Sequence, residues 1–137
     1  MPVTRSFWLG FAAYLLPTFP LGYAWHLVVF AEQYHRLEMY RPEVIIPLGL
    51  ASMLIQACFF SWAYPRLFNT ERARWGSSAA KSGLFFSALA VSFAVLPVAA
   101  KYRMSSVADF LTLEVAFTLL QFAVVAPLIA LAHREPA

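Results

Sequence analysis

One cysteine, five glycines and a charged fraction of only 12% in 137 residues exclude several kinds of protein at once. A lone Cys58 rules out an intrachain disulfide and a CxxC redox pair; it lies within an apolar segment and reads as a small, buried, apolar-like side chain. Charge is scarce against the roughly 25% of an ordinary soluble domain. HxxxH and HExxH are missing, as are a serine–histidine–acid order, a phosphate loop and a nucleotide fingerprint, so catalysis has no motif. There is no internal repeat.

What is present is apolar, at 61% of residues. A span of the hydrocarbon core needs about 20 such residues, and four runs meet that length: about Phe7 to Ala31, Val44 to Leu67, Ser78 to Ala100 and Val107 to Ala132. The links EQYHRLEMYRPE, FNTERARWGS and KYRMSS are short, which favours antiparallel neighbours. The first run carries Pro17, Pro20 and His26 and is longer than the core of a signal peptide, so it reads as a retained helix. The expectation is an all-α, four-helix transmembrane bundle with up-down-up-down order, a single integral membrane domain over residues 1–137.

Six of the ten basic residues, Arg5, Arg66, Arg72, Arg74, Lys81 and Arg134, fall on the side of both ends and the middle loop. That excess places both termini in the cytoplasm of a multi-pass cell-membrane protein. The net charge of +3 is thus a topology signal, and nothing points to nucleic acid as a partner. Trp8, Trp62, Tyr64, Trp75 and Tyr102 sit at segment ends, as interfacial anchors do.

Residues three and four apart share a helix face, and each run carries a polar or small seam. These are Thr18, Gly22 and His26; Gly49, Met53 and Gln56 with Ser52; Gly83, Ser87, Ala90, Ala94, Pro97 and Lys101; and Glu114, Thr118 and Gln121. Ionisable groups inside a span cost about 2.5–3.5 kcal/mol and usually turn inward toward partners. His26 lies roughly 10 Å and Glu114 roughly 9 Å outward from the middle of their runs at 1.5 Å per residue, so the two can meet. Gln56 and Gln121 form a second polar level near the midplane, and Lys101 snorkels its charge at the outer rim. Pro17 and Pro20 are expected to kink the first helix.

The segments WHLVVF, YRPEVIIPLGLASMLIQ, YPRLF and LEVAFTLLQF, taken with the overall plan, resemble small bacterial four-helix integral membrane proteins of unknown function. That resemblance implies an integral membrane fold and carries no activity with it. Small multidrug exporters are similar in having four spans and one membrane glutamate, but theirs lies in the first helix and Glu114 lies in the fourth. Dimeric four-helix fluoride channels match in size without their polar and phenylalanine motifs.

The residues therefore lead to an outward-facing polar pocket lined by His26, Gln56, Glu114, Gln121 and Lys101. It would bind or pass a small polar or amphipathic ligand, with no cofactor and no metal. Competing readings are an accessory or assembly subunit of a larger membrane complex, and a haem or metal membrane enzyme. A homo-oligomer is a further possibility for so small a bundle.

Overall fold

The computed structural model describes residues 4–135, and among them all regular structure is helical. Helix α1 (Arg5–Ala24) runs into a π-helical turn (Trp25–Val29) and a short α2 (Ala31–Arg36). Then come α3 (Ile46–Leu67), a 3-10 turn (Arg72–Arg74), α4 (Trp75–Ala90), a second π turn (Val91–Val95), α5 (Leu96–Lys101) and α6 (Val107–His133). Three helices are long and apolar enough to cross a membrane: Ile46–Leu67, the continuous stretch Arg72–Lys101, and Val107–His133. α1 is not among them; Arg5, Tyr14, Pro17, Thr18, Pro20 and Tyr23 dilute its apolar character.

Local chemistry sets the helix ends. Thr4 and Ser106 cap α1 and α6 by accepting from the amides of Phe7 and Asp109. Glu38, at φ 58°, turns the chain away just after α2. α1 stays helical through Pro17 and Pro20; the departure from regular geometry comes later, where the Phe30 amide reaches back five residues to the Trp25 carbonyl at 3.0 Å. The second π turn directly precedes Pro97, which has no amide to donate.

α6 is the central element, packed along α1 on one side and α4 on the other, with α3 packed mainly on α1 and touching α6. One core cluster joins Tyr14, Tyr64, Phe86, Phe122 and Ile129, with Phe60 and Phe68 against it. The other joins Tyr34, Leu37, Val95 and Phe110. The ends are tied by hydrogen bonds between segments distant in sequence. Ser105 donates from its amide to Leu37 O and from its hydroxyl to Arg36 O, while Thr70 and Glu135 exchange two bonds at the opposite end.

Large apolar side chains are exposed on every long helix, including Leu16, Phe59, Leu84, Phe93 and Leu119. Soluble monomers rarely show apolar surface on this scale, and with three helices long and apolar enough to cross a membrane it is consistent with a multi-pass membrane protein.

Several sequence expectations change here. Cys58 is exposed, because α3 is the helix least embedded in the fold. Tyr64 is core, with its ring stacked on His133 at 5.5 Å, whereas Trp8, Trp62, Trp75 and Tyr102 are exposed. On the third run the small seam holds through Gly83 and Ser87, where a Cβ on Gly83 would lie 3.3 Å from that of Ala126. Beyond them the π turn rotates the helix, so Val95 is buried and Ala94 is exposed.

Candidate functional site

The buried face of α1 is Gly10, Tyr14, Thr18 and Gly22, spaced by fours. Its continuation is His26, in the π turn, and there three elements converge. His26 Nε2 lies 3.1 Å from Glu114 Oε1 on α6, and Nδ1 lies 2.9 Å from the Gly22 carbonyl one turn back. The Tyr34 hydroxyl on α2 donates to the same Glu114 oxygen at 2.6 Å and accepts from Trp25 Nε1 at 3.2 Å. Phe117 meets the imidazole edge-on at 4.6 Å, and Tyr40 stacks on Tyr34 at 5.1 Å.

This geometry limits where hydrogens can sit. A carbonyl can only accept, so Nδ1 carries a hydrogen. Nε2 then makes a hydrogen bond to the carboxyl only if one further proton lies between the two groups, either as imidazolium with carboxylate or as imidazole with carboxylic acid. Removing it would leave a nitrogen lone pair facing an anion. His26 and Glu114 side chains are 20% and 18% exposed, so the pair is shielded without being sealed.

His26 is also part of the wall of a cleft of about 560 Å³ between α1 and α3, closed at one end by the loop after α2. The lining is mainly apolar: Phe19 from α1, Leu27 from the π turn, Val44 from the loop, Leu48 and Met53 from α3, and Phe117 from α6. The N-terminal half of α3 splays from the rest, and residues 46–52 are all exposed. Its seam residues Gly49, Ser52 and Met53 line this cleft, while Ala57, Ser61 and Tyr64 make the buried contact of α3.

The five residues singled out from sequence fall into three places. His26 and Glu114 are in contact. Gln56 and Gln121 form a separate level and are joined by Tyr14, whose hydroxyl donates to Gln56 Oε1 at 2.5 Å and accepts from Gln121 Nε2 at 3.0 Å. Gln56 also donates to Ser52 Oγ at 3.0 Å. Lys101 is exposed at the end of α5, and of the five only His26 lines the cleft.

Sequence reasoning missed Tyr34, Trp25 and Tyr14. Tyr14 was legible in principle, four residues before Thr18 on the seam. Also missed was a third polar level, where the Ser61 hydroxyl donates to the Phe7 carbonyl at 2.6 Å and stands 3.1 Å from His133 Nε2. With the serine hydrogen given to a carbonyl, His133 is the donor in that pair, an arrangement that does not activate the hydroxyl as a nucleophile.

Outside the long spans, burial holds the phenols of Tyr34 and Tyr40 above their ordinary range, and the nearby Glu114 raises both further. Tyr34 is thereby kept as a hydrogen-bond donor. Among the described residues, no three of His, Cys, Asp and Glu come together as a ligand set. Compared with known proteins, the chain matches no family model, no curated sequence and no solved structure.

Proposed function

We propose that the protein is a four-helix transmembrane bundle in which α1 with its π turn crosses the bilayer as a fourth span. In this reading the order is up-down-up-down, both termini are cytoplasmic, and the α1/α3 cleft lies in the outer half of the bundle, beneath the loop after α2. The cleft binds or passes a small amphipathic ligand, with His26 and Glu114 as its recognition and protonation pair. One observation carries this: an imidazole within hydrogen-bonding distance of a carboxyl group also forms part of the wall of an otherwise apolar cleft. Intramembrane ionisable groups mark functional sites more often than not, and apolar pockets with a few convergent polar groups are the usual form of small-molecule sites.

Two measurements test the reading. With Cys58 replaced by serine, a membrane-impermeant thiol reagent should label a cysteine at position 38 in intact cells, and one at position 135 only after permeabilisation. Dodecyl amphipaths added to the purified protein should bind the wild type and fail to bind Gly49→Phe, while His26→Gln binds more weakly. Equal binding by all three proteins would leave the accessory-subunit reading in its place.

A further inference from the structure

The charge around the cleft is not balanced. Its lining contains two residues able to carry positive charge, His26 and Arg41, and no acid. Glu114, behind His26, is engaged by both the imidazole and Tyr34. Arg36 is paired with Glu32, and Glu43 does not line the cleft. Among the described residues Arg41 has neither an ion-pair nor a hydrogen-bond partner. An uncompensated guanidinium therefore borders an apolar slot.

The slot has a closed end and an open flank. At Gly22 a Cβ would come within 3.2 Å of Met53 Cε, which marks where α1 and α3 close together. At Gly49 a Cβ would meet nothing within 4 Å, so this part of the wall has room. The volume of about 560 Å³ falls within the roughly 300–1,000 Å³ typical of small-molecule sites. With residues 46–52 exposed, a chain can enter sideways between the helices.

We propose that the cleft takes a single-chain amphipath with an anionic head, a long-chain carboxylate, its chain between α1 and α3 and its head on Arg41. The inference rests on the reading of the cleft as a ligand site and adds the sign of the ligand's charge. Guanidinium and carboxylate match as a two-pronged, charge-assisted pair, whereas a cationic head would meet Arg41 and find the Glu114 carboxyl already occupied.

The test uses the full chain in nanodiscs of zwitterionic lipid, with dodecanoate, dodecanol and dodecyltrimethylammonium as probes and native mass spectrometry as readout. Dodecanoate should bind saturably at one per chain and at least about tenfold more tightly than the cation, as one charge-assisted contact would give. Arg41→Gln should remove that preference and leave dodecanol binding unchanged; Gly49→Phe should abolish binding of all three. Head-independent binding that Gly49→Phe still blocks would overturn the anionic head while leaving the cleft reading intact. No saturable binding of any probe would sink both. Displacement of dodecanoate by equimolar phosphatidylglycerol would overturn the single-chain occupant in favour of a two-chain bilayer lipid.

Discussion

His26 and Tyr34, eight residues apart, meet at one oxygen: the imidazole Nε2 and the phenol hydroxyl lie 3.1 and 2.6 Å from Glu114 Oε1. One carboxyl group thus ties the π turn and α2 to α6.

Removing either member of the histidine–glutamate pair should loosen the packing of the π turn against α6. A double-mutant cycle with His26→Gln and Glu114→Gln is expected to give a coupling on the order of 0.6 kcal/mol, with about 1.7 as an upper bound for hydrogen bonds inside membrane proteins. Unfolding in bicelles measures it. Strict additivity would mean that the contact contributes nothing.

High pH should destabilise the fold through Tyr34 and Tyr40. Burial, then the Glu114 contact, raises the folded pKa of Tyr34, and the same two causes act on Tyr40. A raised phenol contributes stability that is complete below the unfolded value of 10.0 and is lost as pH rises past it toward the folded value. The unfolding midpoint should therefore fall above that pH, less steeply in Tyr34→Phe. Parallel alkaline slopes for the variant and the wild type would contradict this origin.

Two glycines should respond in opposite ways to alanine. A Cβ at Gly10 would sit 2.4 Å from Ser61 Oγ and 2.6 Å from His133 Nε2, inside a stacked and hydrogen-bonded cluster. Gly10→Ala should cost about 1–3 kcal/mol as overpacking does. Gly49 has open space around it, so Gly49→Ala should be neutral or stabilise by up to roughly 1 kcal/mol through helix propensity. Thermal unfolding of the two variants side by side settles the comparison.

Tyr14→Phe should deprive both glutamines of their shared partner. Gln121 is buried, so leaving its amide without that acceptor should cost about 1–3 kcal/mol. Gln56 is exposed and keeps Ser52, so Gln56→Ala should cost less. A larger loss from Gln56→Ala than from Tyr14→Phe would reverse the order of the network.

The histidine–glutamate meeting was legible because depth in the bilayer and helix periodicity are both counting arguments, and neither needs side-chain detail. Helix extents were close for the same reason: expected runs of 44–67 and 107–132 stand beside helices Ile46–Leu67 and Val107–His133. The tyrosines were not legible. A tyrosine near a helix end reads as an interfacial anchor, and only packing distinguishes Tyr64, which is buried, from Tyr102, which is not. The splay of α3 was hidden too, because the seam of Gly49, Ser52 and Met53 marks a face without showing how closely that face packs. Both π turns escaped a reading built on 3.6 residues per turn, and the one at Val91–Val95 moved the buried position from Ala94 to Val95.

The wide turn at Trp25–Val29 has a consequence for how this region can change. On an unbroken helix His26 and Tyr34 would stand roughly 12 Å apart along the axis, yet their rings are 4.8 Å apart. That convergence depends on the number of residues between them more than on their identity. Val28 and Val29 face outward and tolerate exchange for other apolar residues, but shortening the stretch by one would swing the phenol away from the carboxyl group. Homologous chains that keep this site should therefore vary in spelling at positions 28 and 29 and never in length between His26 and Tyr34.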